Sequence, residues 1–556
     1  MACLKIFLNK EALKIFFFVI FCIWIMRSDP TLKLQKINNE IVEKLYKEEI
    51  ISNMEKHNLI QRTSYAPRIY GVPKIHKENS PLRPICSSVN TPSYSLSKYI
   101  IRILNNLTND AKYNIKDSID FKKRINNKSI GDDEILISFD VVSLFPSIPV
   151  DYALKIIDKK WNIIEKHTNM TKKLFLDILK FCIQENRYFI FGGNTYKQLK
   201  GMPMGSPASP VVADIIMEHC LDDCVQQLRE KSRFLTKYVD DLFAIVKIDN
   251  IDETLEILNN FHKDIKFTME KEKNGQLPYL DTLLIRTDNT VKLDWYQKPM
   301  ASGRIINFLS KHPKNIIYNT ASNFINRVLQ ISDKIYHHKN KVKIREILKN
   351  NNFPITLINK MIDRQITKEN NITEKKDTPV YKSMTYTPIL SEHLHRSKIL
   401  DERKYRMTFK TNNTLSKKFF TNMKTKIDKL EKSNVIYRIE CSGNSKDTCN
   451  KVYIGTTKSK LKTRISAHKS NIKLLDNRNS IQKTALATHC AQNKHVPDFN
   501  NVSIVDEENN YNKRFTLEML HIVNTPTQIR LNYKTDSDNC SQSYRHLITK
   551  NRSVRK

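Results

Sequence analysis

Lys237-Tyr238-Val239-Asp240-Asp241-Leu242-Phe243-Ala244-Ile245-Val246 decides how this chain is read. β-Formers flank two adjacent carboxylates, the pattern of a hairpin with the acids at its tip. Neighbours along a strand point to opposite faces, so only a tight turn brings both acids to one site. An Asp-Asp pair alone is most often a solvated turn. Two other stretches change its meaning. Upstream, Ile137-Ser138-Phe139-Asp140-Val141-Val142-Ser143-Leu144-Phe145-Pro146 is a second apolar strand ending in a carboxylate. Between the two lies Gly201-Met202-Pro203-Met204-Gly205-Ser206-Pro207, punctuated as a tight turn.

Asp140, the Gly205-Ser206-Pro207 turn and Tyr238-Val239-Asp240-Asp241 together resemble, in kind and order, the palm of a reverse transcriptase. The wording is most similar to the Penelope-like retroelements, and the resemblance runs from about Asp29 to Asn532. It implies an α+β multidomain chain: a right-hand polymerase (fingers, palm, thumb) followed by a small α/β nuclease. Nucleotidyl transfer uses two divalent cations about 3.5–4 Å apart, and hard Mg²⁺ (or Mn²⁺) favours carboxylate oxygens. Asp140 and Asp240 would bridge both ions and Asp241 would support them. The resemblance adds the Val141 carbonyl as a further ligand. It also makes Phe145 the bulky group that excludes a ribose 2′-hydroxyl, so that dNTPs are chosen. Gly205, Ser206 and Pro207 would give close backbone approach beneath template and nucleotide.

Composition fits a polyanion partner. Lys and Arg number 93 against 58 acids, a net charge of +35, and basic groups that neutralise phosphates release counterions. A Lys- and Asn-rich, A/T-biased genome would push the surface the same way. The 10 cysteines form no compact framework, which suits a reducing compartment; the nucleus is the expected location.

Residues 1–28 hold an apolar run, Ile15 through Met26, behind Lys5, Lys10 and Lys14. It is shorter than the roughly 18 residues of a spanning helix, and Arg27-Ser28-Asp29-Pro30 offers no small-residue cleavage site. A buried helix or a misjoined beginning is expected; a membrane signal or anchor is the disfavoured alternative. Residues 29–130 read as partial fingers. There prolines stiffen Ala66 through Ile85, and Lys74 and Arg83 would hold template and incoming triphosphate. The family's Ala-Asp-Lys-Gly stretch is not found before Asp29, which raises the expectation of a truncated beginning. Residues 131–300 are the palm, with Phe267–Glu270 and Leu277–Asp281 expected to pair as strands. Trp295 through Pro299 resembles the strand that supports the primer end. Residues 301–365 read as a helical thumb, 366–432 as linker and connector, 433–535 as the nuclease and 536–556 as a basic tail.

The nuclease reading starts from Val435-Ile436-Tyr437 and Tyr453-Ile454-Gly455. These resemble the paired strands that name the GIY-YIG endonucleases, with Val435 where the first glycine stands. The family implies roles for Arg464, Glu518 and Asn532. Glu518 would hold a divalent metal, Tyr437 or Tyr453 would position or deprotonate a water, and Arg464 would neutralise the phosphate. A Cβ at Val435 is expected to crowd its strand. Cys441, Cys449, His489 and His495 can complete a tetrahedral zinc site, and the Penelope-like nucleases carry such a set here.

The implied function is target-primed reverse transcription: nick a DNA target, then extend the freed 3′ end with dNTPs on an RNA template. The alternative is a degenerate or truncated, non-catalytic nucleic-acid-binding relic. A membrane-anchored basic protein rests on Ile15–Met26 alone. Protein partners are not readable.

Overall fold

In a computed structural model of the chain, residues 23–73, 82–108, 111–126, 128–203, 205–229, 231–369, 380–387, 389–397, 405–410, 427–444, 447–475 and 484–542 are described. The apolar runs around the two acid motifs form strands Glu134–Val141 and Asp241–Lys247, which pair antiparallel at the centre of a four-stranded sheet. Ser232–Tyr238 lies outside the second strand and Phe267–Lys271 outside the first. Period-2 geometry sends alternate residues to opposite faces. Ile137, Phe139, Val141, Leu242, Ala244 and Val246 join the large core beneath helix Ala208–Arg229. Leu136, Phe243 and Ile245 join a second core with Phe121, Tyr279 and Leu293. Both faces are covered, which is why these strands read as continuous apolar runs.

The second core lies against a three-stranded sheet, Gln276–Tyr279, Thr282–Thr287 and Thr290–Trp295. This corrects one expectation. Phe267–Lys271 and Gln276–Tyr279 are both strands but belong to different sheets, the first paired with Glu134–Val141 and the second with Thr282–Thr287. A Lys273–Gln276 bridge reverses the chain between them.

The fingers sheet is five-stranded, in the order Ile23–Ile25, Asn194–Gln198, Tyr188–Phe191, Arg68–Pro73 and Leu82–Ser87. Two expectations change here. The end of the N-terminal apolar run is a strand rather than a helix, because Ile23 packs with Ile69, Cys86, Phe189 and Tyr196; Ile15 to Cys22 lie outside the described residues. The sheet also takes the hairpin Tyr188–Gln198 from within the stretch read as palm. No helix among the described residues is long and apolar enough to cross a membrane.

Helices Lys314–Ile331, His337–Asn350 and Ile355–Glu369 share a core of Ile317, Ile325, Ile344, Leu348 and Ile358. Polar ties bind them to the palm: Arg327 Nη2 is 2.6 Å from Asp281, and buried Asp294 accepts from Lys339 and Asn340, each at 2.8 Å. The expected linker contains structure of its own. Val380–Thr385 and Tyr405–Lys410 pair in parallel around helix Leu390–Arg396.

The C-terminal sheet has the order Val452–Thr457, Val435–Glu440, Ser503–Glu507, with helices Leu461–Leu475, Ala485–Asn493 and Tyr511–Asn524. Val435 is fully buried in its core and keeps register with Thr457, but the pairing with Ser503–Glu507 shifts register between Ile436 and Tyr437, one residue on. Ser537 and Cys540 are also buried, which carries this unit past the expected boundary at 535.

Candidate active sites

Register places the palm acids. Asp140, one residue before the end of its strand, lies directly opposite Asp241. Val239 and Asp240 make the turn between Ser232–Tyr238 and Asp241–Lys247, with Val239 at φ 57°. A β-branched residue in that region is an outlier, and here it folds the chain back so that Asp240 and Asp241 share one site. Burial, then the neighbouring Asp240 and Asp140 charges, raises Asp241 to about 6. Burial and Asp140 also raise Asp240, while Arg83 draws it back down. Like charges held this close call for a cation, and an all-oxygen donor set fits Mg²⁺. The Val141 side chain is buried just behind Asp140.

Arg83 is exposed on strand Leu82–Ser87 and within electrostatic reach of Asp240. Lys74 lies outside the described residues. Phe145 is half-buried on the short helix Leu144–Ser147, and its carbonyl accepts from the Met202 amide at 2.8 Å. Gly205, at φ 80°, explains its turn: a Cβ there would overlap the Cys86 carbonyl oxygen. Its own carbonyl accepts from Ser88 Oγ. Ser206 is buried and Pro207 half-buried, so the loop is clamped between fingers strand and palm helix.

Sequence reasoning missed Lys237. It reads as a solvated charge, yet it is fully buried, paired with Asp214 and lying 3.4 Å from Glu218. Its amide donates to the Tyr113 carbonyl and its own carbonyl accepts from Ile115. The base of the acid turn is therefore tied to helix Ala208–Arg229 and to segment 113–115. The available signal was Asp214 and Glu218, spaced i,i+4 in the apolar N-terminal part of a helix that turns polar after His219. Lys237→Met strands two carboxylates in the interior and should cost about 3–5 kcal/mol in denaturant unfolding. Adding Asp214→Asn and Glu218→Gln should recover most of that loss.

In the C-terminal unit, Tyr437 lies opposite Gly455. A Cβ at 455 would sit 2.6 Å from Tyr437 Oη, which accounts for the glycine. Arg464 Nε donates to Tyr437 Oη at 3.1 Å, and His468 Nε2 is 2.7 Å from the same oxygen. Burial raises Tyr437 to about 12 although Arg464 opposes it, and lowers His468 to about 4. Tyr453 is raised too, by burial first. Glu518 faces this group from helix Tyr511–Asn524, lifted to about 7 by burial and Asp536 and partly restrained by the Thr456 amide and Arg464. Asn532 clasps the second strand, accepting from Ile454 N at 2.9 Å and donating to Ile454 O at 2.8 Å. The structure thus gathers Tyr437, Tyr453, Arg464 and Glu518, makes Asn532 a backbone clamp beside them, and adds His468. A half-buried carboxylate kept from ionising is a natural seat for a divalent cation.

Cys441, Cys449, His489 and His495 also come together, with one donor atom from each within 4.8 Å of all the others. Cys449 Sγ to His489 Nε2 is 3.5 Å, and His489 Nε2 to His495 Nδ1 is 3.2 Å. Edges of a tetrahedron built on Zn–S of about 2.3 Å and Zn–N of about 2.0–2.1 Å are of this size. Burial pushes the Cys441 thiol up to about 11 and lowers His489. The imidazole is thus neutral, and a cation would release the thiol proton. The donor set fits Zn²⁺. One Zn²⁺ per chain is the expected result of elemental analysis after dialysis. Cys449→Ser should lose it and lower the melting temperature of the C-terminal unit, because metal affinity is folding energy.

A sheet with carboxylates at adjoining strand ends, a clamped glycine turn and a basic fingers strand defines a nucleic-acid polymerase palm. Residues 75–282 match the family described as "Reverse transcriptase (RNA-dependent DNA polymerase)", so the chain carries a reverse transcriptase domain, the class that performs RNA-directed DNA synthesis. Residues 304–363 match the family "Animal helix-turn-helix domain". No curated protein matches the chain. Among solved structures, it is similar to Candida albicans telomerase in complex with a fragment of telomeric RNA, at 12% identity and TM-score 0.36, covering 66% of this chain and 73% of that one. Apo telomerase from Candida tropicalis follows at 14% and 0.34, covering 60% and 62%. A Sicinivirus RNA-dependent RNA polymerase stands at 10% and 0.35, covering 58% and 71%. Likenesses this loose add nothing to the family match.

Proposed function

We propose that the chain is a Penelope-like retroelement protein that nicks a DNA target with its C-terminal unit and copies RNA from the freed end with its reverse transcriptase domain, acting in the nucleus. The observation that carries this reading is the coexistence of two separate carboxylate centres. One is Asp140, Asp240 and Asp241 on the palm; the other is Glu518 beside Tyr437 and Arg464.

In the palm, Asp140, Asp240 and Asp241 would hold Mg²⁺, which when bound activates the attacking 3′-hydroxyl and neutralises the leaving phosphate. Arg83 would meet the triphosphate opposite them. Phe145, pinned through its carbonyl to Met202, would stand against the sugar. In the C-terminal unit, Arg464 would bind a phosphate oxygen while donating to Tyr437 Oη. His468, 2.7 Å from that hydroxyl and disfavoured from protonation by burial and Arg464, would orient Tyr437, which would position the attacking water. Glu518 would hold a divalent ion that stabilises the leaving oxygen. Cys441, Cys449, His489 and His495 would hold a structural zinc and take no part in hydrolysis.

The test uses one preparation of the full chain in two assays: primer extension on poly(rA)/oligo(dT) and plasmid nicking, each with Mg²⁺ or Mn²⁺. Activity in both is expected. Extension without nicking would remove the endonuclease half of the reading. Binding with neither activity would leave the relic.

A further inference from the structure

Two ring pairs among the described residues stack nearly parallel. Phe189 and Tyr196 do so inside the fingers core. Tyr511 and Phe515 do so in solvent, with planes 13° apart and centroids separated by 6.2 Å. Tyr511 is 67% exposed and Phe515 39%. On a helix of 3.6 residues per turn, positions 511, 515, 518 and 522 fall within about 60° of one another. Farther along the helix this face is the packed one. Ile522 is buried against Ile436, Val452 and Ile454, and Glu518 reaches the Thr456 amide. In the first turns Arg514 is buried and donates to Asn434 and the Glu508 carbonyl, while the face that carries Glu518 continues into an exposed aromatic pair.

We propose that Tyr511 and Phe515 form a base-stacking platform for the DNA strand that enters the Glu518 centre. The proposal rests on the nuclease reading above and adds how that site would grip its substrate. Aromatic faces accept any base, so the ligand is a nucleobase of unpaired or frayed strand without sequence preference. The spacing suits one. Phe515 precedes Glu518 by about 4.5 Å along the helix axis and Tyr511 by about 10.5 Å. Phosphates of one strand repeat about every 3.4 Å along a duplex and lie farther apart where the strand is unpaired. The platform would therefore meet a base about one to three nucleotides from the phosphate at Glu518. Lys513 is exposed on the same turns and Glu518 is the helix's single acid, although Asp506, Glu507 and Glu508 precede the helix. A stacked i,i+4 pair also steadies a helix, so affinity must separate the two roles.

The experiment mixes the full chain, without added Mg²⁺, with partly single-stranded oligonucleotides carrying 2-aminopurine at successive positions along the unpaired strand. The parent should quench one to three adjacent positions. Tyr511→Ala combined with Phe515→Ala should abolish the quench and weaken DNA binding about tenfold, the lower part of the range for losing a stacked base. Tyr511→Phe should keep both. Zinc content, melting temperature and primer extension should not change in any of these variants. Unchanged quench and affinity in the double variant would overturn the platform. So would a shift from dimer to monomer in sedimentation, which would make a second copy the cover. A parent that quenches but never nicks would remove the nuclease reading and leave the stacking site standing. A parent that nicks without quenching would remove the platform alone.

Discussion

Asp240→Asn should lower dNTP incorporation by about 10³-fold, the scale of losing one preorganised charge at a reacting phosphate. Nucleic-acid binding should hold, because phosphate-backbone contacts come from basic residues elsewhere. The variant should not be less stable than the parent in metal-free buffer. Asp240 is raised by burial and by Asp140, so its ionised form is disfavoured in the folded state. A raised carboxylate supports folding fully only below its unfolded value of about 4 and loses that support as pH rises. At pH 7 the parent therefore carries a penalty that Asn removes, and Mg²⁺ should reverse the order by stabilising the parent alone. Primer extension and thermal melting with and without Mg²⁺ measure both halves. Full polymerase activity in Asp240→Asn would dismiss the acid turn as the reacting centre.

Glu518→Gln should abolish plasmid nicking to a similar degree while DNA affinity and primer extension persist, since the two centres lie in separate sheets. Arg464→Lys should lose part of both nicking and affinity, because a point charge cannot reproduce a guanidinium held on Tyr437 Oη. The same group sets a pH signature. Glu518 is raised to about 7 by burial, so metal-free protein should lose stability as pH rises from about 4.5 through 7. Nicking should climb over the upper part of that window as the carboxylate frees itself for a cation. More Mg²⁺ should move the climb to lower pH, since a bound cation favours the charged form. A flat pH profile with Glu518→Gln still active would place the metal elsewhere.

The chemistry-bearing positions were legible because they sit at strand ends, where apolar runs break off into acids. Asp140 and Asp240 follow that rule, and Gly205 and Gly455 fill places where a Cβ would meet the Cys86 carbonyl or Tyr437 Oη. The cluster of Cys441, Cys449, His489 and His495 was legible as residue types, although its closure depends on how a loop and a helix end meet. Sheet membership was not legible. A five-residue strand such as Phe267–Lys271 shows its own period but not its neighbour, and Ile23–Ile25 is too short to show any. Lys237 was hidden because a lysine looks the same in sequence whether water or Asp214 receives it. The place of His468 in the site depends on 2.7 Å to Tyr437, a distance that no spacing encodes.

The backbone of Val239 has a consequence for anyone evolving this polymerase toward heat resistance. A left-handed, β-branched residue carries about 1–2 kcal/mol of strain, which glycine would relieve for about 0.5–1 kcal/mol of added unfolded-state freedom. Selection on melting temperature alone would thus be drawn to position 239. The strain is what turns Asp240 back toward Asp140, and a relaxed hinge would let the acid wander. Libraries sorted for survival after heating, rather than for cDNA made afterwards, would enrich sturdier proteins that copy poorly.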